Sequence, residues 1–275
     1  MRRATCLFTV SLIFASTAFA VAQEDQPSSI PFAGGTLTIE ETSDLDKILA
    51  FDGKELARNY VVYYDRTVDL DGTKVALFAV GDGGNACGPA TVIVWKPEGG
   101  DLKTATVGED CGAPPAAATE DSLYFVPYLR PGAVADVQSW SPDTGLRVAG
   151  EMSFTPQPDT KWADIDPAKI THPYDLFANS DFYDAARKVL GDRLENVALA
   201  LSVSGVPETT ASGVLYGSGC IPHACGGGDG FFAFDQKTKA VYFAQQGDGA
   251  EPDAWPALDT WPAEVRDVMK KSIEQ

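Results

Sequence analysis

Histidine is almost missing from this chain: two of 275 residues, His172 and His223, carry an imidazole. With so few imidazoles in the chain, the placement of His223 at the centre of a six-residue stretch bracketed by cysteines calls for an explanation. Basic residues are short as well, 21 Lys and Arg against 39 Asp and Glu, a formal charge of −18. Such a chain repels phosphate backbones and anionic membranes, so nucleic acid is excluded as a partner and basic proteins are favoured by steering. Beyond the first residues no apolar run approaches the roughly 20 residues of a membrane-crossing helix. No Gly-x-Ser-x-Gly elbow offers a hydrolase nucleophile. Acid pairs such as Asp69 with Asp71 and Asp164 with Asp166 sit in no EF-hand loop, and among 39 acids chance pairs are expected.

The chain opens with Arg2 and Arg3, an apolar run from Leu7 to Phe14, and small residues at Ala18-Phe19-Ala20 or Ala20-Val21-Ala22. This is the pattern of a secretory signal peptide over residues 1–22, with no lipidation box, so the expected location is periplasmic or secreted without a membrane anchor. Its removal takes away two arginines and no acid, leaving 19 bases against 39 acids, or −20. Cys6 leaves too, and Cys87, Cys111, Cys220 and Cys225 remain. An even number of cysteines in an oxidising compartment reads as disulfides. Of three pairings, the long gap in sequence favours Cys87 with Cys111 and Cys220 with Cys225.

Two domains are expected. Residues 30–155 read as mainly β, built of antiparallel hairpins: Thr36 to Glu40, Val61 to Tyr64, Val75 to Val80, Thr91 to Trp95, Leu123 to Pro127 and Val137 to Trp140 are β-branched or aromatic runs. Asp71-Gly72, Pro97-Glu98-Gly99-Gly100 and Asp143-Thr144-Gly145 supply turns between them. The pair Cys87 and Cys111 would close the open end of one hairpin. Residues 156–170, with Pro156 and Pro158 at their start, read as a linker. Residues 171–275 read as α+β. Ser180 is placed to cap a helix ending at Gly191, and strands are expected over 197–203, 213–217, 230–234 and 240–244. A closing helix after Pro262 carries Val265, Val268, Met269 and Ile273 on one face. His172, before Pro173, reads as an ordinary surface residue. Trp95, Trp140, Trp255 and Trp261 could form a sugar-binding platform, although burial in a core is the commoner fate of tryptophan.

The distinctive stretch is Gly219-Cys220-Ile221-Pro222-His223-Ala224-Cys225-Gly226-Gly227-Gly228. A zinc site on Cys220, His223 and Cys225 lacks a fourth ligand and standard spacing, and bridged cysteines are not ligands. With its flanking strands 213–216 and 231–234, the helical text from Asp175 to Tyr183 and the amphipathic C-terminus, this loop resembles the Ivy family, the inhibitors of vertebrate lysozyme. The resemblance covers about residues 170–275. It implies a central antiparallel sheet flanked by helices, no enzymatic activity, no cofactor or metal, and a C-type lysozyme or related muramidase as partner. It also implies an inhibitory loop of Cys220, Ile221, Pro222, His223, Ala224 and Cys225, whose histidine enters between the two catalytic carboxylates of the lysozyme. The family's loop usually reads Cys-Lys-Pro-His-Asp-Cys, so Ile221 and Ala224 depart from it. The runner-up is an Ivy-like module directed at another cell-wall enzyme or a polysaccharide. Assembly into a homodimer is left open, and residues 30–155 suggest no activity.

Overall fold

The computed structural model describes residues 26–84, 87–247, 249 and 251–273; the signal peptide expected over 1–22 lies outside them. The N-terminal half is three four-stranded antiparallel sheets, each a meander of consecutive strands. The first holds β1 (Ser29–Phe32), β2 (Gly35–Glu41), β3 (Lys47–Phe51) and β4 (Lys54–Asn59). The second holds β5 (Val61–Leu70), β6 (Thr73–Gly81), β7 (Ala90–Trp95) and β8 (Lys103–Val107). The third holds β9 (Ala116–Ala118), β10 (Leu123–Phe125), β11 (Val134–Ser141) and β12 (Gly145–Ser153). Three of the hairpins turn on two residues, Ala33-Gly34, Asp52-Gly53 and Asp71-Gly72, with both φ angles positive. Turns of this primed kind match the right-handed strand twist, which is why a second-position glycine recurs.

The second sheet is the middle layer. Ala76, Phe78, Val80, Val92 and Val94 face Ile30, Phe32, Leu37 and Leu49 of the first sheet. From the opposite face Val75, Leu77, Ile93 and Trp95 meet Leu123, Phe125 and Trp140 of the third. Burial on both sides explains why β6 and β7 read as continuous apolar text instead of alternating with polar residues. The Cys87–Cys111 bridge, Cα atoms 4.8 Å apart, joins the chain just before β7 to the chain just after β8, as the hairpin reading expected.

The C-terminal half is a six-stranded antiparallel sheet between two helical layers. Its helices are α1 (Pro173–Phe177), α2 (Ser180–Leu190), α3 (Leu194–Leu199) and α4 (Ala263–Ile273). Its strands are β13 (Val203–Ser204), β14 (Glu208–Thr209), β15 (Leu215–Cys220), β16 (Asp229–Asp235), β17 (Ala240–Gln245) and β18 (Asp253–Trp255). Phe232, Phe234, Val241 and Phe243 pack on Leu176, Phe177, Phe182, Ala186 and Leu190 of α1 and α2. Phe231, Ala233 and Ala244 project from the other face onto Trp261, Val265, Met269 and Ile273. The chain is thus two-part, β-rich first and α+β second, with the helices on both faces of the C-terminal sheet.

Several local expectations are corrected. The text from 197 to 203 is not a strand: Leu194, Val197, Ala198 and Leu201 are buried at helical spacing, and residues 194–199 form α3. The cap of α2 is Asn179, whose Oδ1 accepts from Phe182 N at 3.0 Å, while Ser180 is already helical and donates its hydroxyl to Thr160 O. The segment read as a linker is docked on the C-terminal core. Trp162 stacks on Phe234 with centroids 5.3 Å apart, Ile165 is buried, and the Gln236 amide donates to the carbonyls of Trp162 and Ile165 at 2.9 Å each. Phe154 crosses between the halves and rests on Tyr183, 5.3 Å between centroids.

Candidate functional site

The loop from residue 221 to 228 joins β15 to β16, the central pair of the C-terminal sheet, in register from Leu215↔Phe234 to Cys220↔Asp229. Its base is closed twice. The Ile221 amide donates to Gly228 O at 3.0 Å, continuing the ladder by one step, and Cys220 is bonded to Cys225 with Cα atoms 4.9 Å apart. Within the ring, the Ala224 amide donates to Ile221 O at 2.9 Å. Residues 221–224 are therefore a β-turn with Pro222 at its second position and His223, φ 64°, at its third. Proline presets the second position of such a turn, and the third needs positive φ, where glycine or asparagine is the ordinary choice. An L-residue with a Cβ held there costs about 1 kcal/mol or more.

The rest of the loop supports this tip. The Gly226 amide donates to the Asp229 carboxylate at 2.8 Å. Gly228 is buried, and a Cβ there would stand 3.1 Å from Ile221 Cδ1 and 3.3 Å from Ala224 O. Ile221 thus packs inward over Gly228, while Pro222, His223, Ala224 and Cys225 are exposed. Cys220 is buried at the root. All six residues named from the sequence are brought together in one projecting ring, and Cys87 and Cys111 belong to the separate N-terminal bridge.

Other sequence candidates fall into structural roles. His172 is not an ordinary surface residue: its Nδ1 accepts from Tyr174 N at 3.1 Å as the cap of α1, which leaves Nε2 protonated to face Ser202 O at 3.3 Å. Beside it Tyr174 donates to Ala198 O at 2.7 Å, and burial pushes the phenol pKa up to about 12. The tryptophan platform is overturned, because Trp95, Trp140 and Trp261 are buried and Trp255 lies under Arg193. Asp69 accepts from Gly72 N, Asp164 from Lys161 N and Asp166 from Ala168 N, so these acids order turns. Among the described residues no group of three or more His, Cys, Asp or Glu could hold a metal, and no helix is long and apolar enough to cross a membrane.

One neighbouring feature has no counterpart in the sequence reading. The arch from β13 to β14 runs along the outer edge of β15, Val203 paired with Cys220 and Glu208 with Tyr216, and it leaves Val203, next to the disulfide, and Val206, further along the arch, exposed. A valine between Gly205 and Pro207, where a turn is expected, was the available signal.

The disulfide-closed turn carries its imidazole past the ends of β15 and β16, exposed to solvent. In comparison with known proteins, residues 181–275 match the family described as inhibitor of vertebrate lysozyme (Ivy). Residues 33–153 match the Y4bG N-terminal domain. Along almost its whole length the chain is similar to the uncharacterized protein y4bG of Sinorhizobium fredii (strain NBRC 101917 / NGR234), 23% identical over 266 residues, 96% of this chain and 97% of that one.

Proposed function

We propose that the mature chain is an exported binding protein that plugs the cleft of a C-type lysozyme or related muramidase with the Cys220–Cys225 loop, His223 at its tip. The observation that carries this reading is the placement of His223: an imidazole sits at positive φ on an exposed, doubly closed turn where glycine would fit without strain. Residues kept in such conformations mark sites where function sets the side chain. The match of residues 181–275 to the lysozyme-inhibitor family supports the same choice of partner.

The chemistry is complementary. A retaining glycosidase holds a protonated acid and an ionised carboxylate about 5 Å apart, and a neutral imidazole donates to one and accepts from the other. Pro222 and the disulfide remove alternative loop states before binding, which lowers the ordering cost. The chain itself acts by binding and needs no cofactor. A second reading, the same fold directed at an endogenous peptidoglycan-processing enzyme, is favoured by one observation. Ile221 stands where the family has lysine, and it packs on Gly228 instead of offering a charge outward.

The test is titration of the mature protein into hen-type lysozyme by calorimetry, with a cell-wall clearing assay alongside, at low and physiological salt. Micromolar or tighter inhibition is expected, with His223→Ala weakening it by about 30-fold or more, the loss of a central contact. Binding that fades with salt and ignores His223→Ala would be charge attraction alone and would overturn the loop mechanism.

A further inference from the structure

We infer that the β13–β14 arch, through Val203 and Val206, is a second contact surface for the same partner, seated on the apolar rim of the lysozyme cleft that the loop enters. The inference rests on the proposed function and extends it. A stable protein interface takes about 800 Å² from each partner and 20–30 residues a side. Six exposed loop residues, Pro222 to Gly227, two of them glycines, cannot supply that area, so the contact must spread onto what flanks the loop.

The flank is defined by the strand register. Val203 pairs with Cys220 and Ser204 with Gly219, so the arch leaves β15 at the root of the disulfide ring. Close approach is built in at Gly219, where a Cβ would stand 2.8 Å from Val203 O and 3.1 Å from Ser204 Cβ. The arch is therefore held flat against the sheet edge at that point. A shallow groove connects the start of the arch to the ring: Val203, Ser204 and Gly205 line it with Cys220 and Cys225, and Asp229 and Ser272 make part of it polar.

Its chemistry is unusual for this half of the molecule. Among the described residues after 153, the exposed large hydrophobic side chains are Val203, 49% exposed, and Val206, 69% exposed. Both lie on the arch. Ligand clefts are lined largely by apolar and aromatic side chains, so the rim around a glycosidase's carboxylates is the surface that two uncharged valines beside an imidazole fit. The acidic chain raises the encounter rate with a basic partner, and the valines add contact area that charge attraction does not supply.

The experiment compares five full-length mature proteins by calorimetry against hen-type lysozyme: the parent, His223→Ala, Val206→Ser, the double variant Val203→Ser with Val206→Ser, and Val148→Ser. Val148, 59% exposed on β12, is the control for loss of an exposed valine elsewhere. The double variant is expected to bind roughly tenfold more weakly than the parent, with Val206→Ser alone about threefold weaker, and the control within about twofold. Thermal unfolding midpoints matching the parent exclude misfolding as the cause. A double variant that binds like the parent while His223→Ala is weakened overturns the arch and leaves the loop mechanism standing. A parent that does not bind lysozyme overturns both. Sedimentation showing a parent dimer that the double variant abolishes would assign the arch to self-association and overturn its role in lysozyme binding.

Discussion

Replacing His223 by alanine and, separately, by glycine separates what its backbone costs from what its side chain does. Both variants lose the imidazole and every contact it makes, so their difference in stability reports the turn alone. At an ordinary loop position alanine is the more stable of the two by about 0.4–1 kcal/mol, because glycine has more freedom to lose on folding. At φ 64° the order should reverse. A Cβ in the left-handed region costs roughly 1–2 kcal/mol, which exceeds that entropic advantage, so the glycine variant should be the more stable by about 0.5–1 kcal/mol. The comparison is made by urea unfolding followed through tryptophan fluorescence, with Trp162 and Trp261 packed in the two C-terminal core layers as reporters. Alanine equal to or more stable than glycine would refute the argument: the tip would then relax without strain, and the case that function dictates histidine there would lose its energetic basis.

Two further outcomes follow from the same structure. Removing the Cys87–Cys111 bridge, which spans 24 positions, with paired alanine substitutions should cost about 3.5 kcal/mol in the chain-entropy model, against about 2 for the Cys220–Cys225 ring; urea midpoints check both. Asp175 is partly desolvated, which raises its pKa, but donation from Thr171 N, Thr171 Oγ1 and His172 N at 2.8–3.0 Å outweighs this and holds the carboxyl below the usual aspartate range. A depressed carboxyl contributes stability above its unfolded pKa that is lost as pH falls through the folded value, so Asp175→Asn should destabilise at neutral pH, begin to close on the parent below about pH 4 and converge with it only below the depressed folded pKa. Melting temperatures that stay apart in acid would refute this.

What the sequence displayed depended on how sharply burial imposed a pattern. β6, β7 and β16 are covered on both faces, so their apolar runs were unmistakable, and the helix after Pro262 showed its stripe because one side alone meets the sheet. β4 is half exposed and β12 almost wholly so, and both carry charged residues, so neither shows an apolar run. The error at 197–203 was one of period: Val-Ala-Leu-Ala-Leu reads as a strand by composition, yet its buried positions fall three and four apart. The three-layer arrangement of the N-terminal sheets left no sequence repeat, because meanders share alternation and turn chemistry but not residue identities. Of the site, the ring and its histidine were legible from cysteine spacing and family resemblance. The positive φ of His223 was not, since no local rule predicts histidine where a turn asks for glycine. The valine arch was hidden for a similar reason: it becomes a surface only through the pairing of residue 203 with residue 220.

The location of charge decides how recognition at this loop divides between rate and lifetime. From Ile221 to Gly228 the only ionisable side chain is His223, and the nearest carboxylate, Asp229, is turned back to accept from the Gly226 amide. The ring itself thus carries no acidic side chain, while the chain as a whole carries 39 acids against 21 bases. Long-range attraction of a basic partner arises from the whole surface and acts on the encounter, where salt screens it. Desolvated contacts at the tip and arch act after the encounter, on dissociation. The N-terminal half does not intervene, because Pro222 to Gly227 are exposed with the full described chain in place. The loop is therefore formed and uncovered in the protein as it stands, and under the proposed function its affinity would depend on how well a preset imidazole and two valines fit the cleft, not on any opening step within the protein.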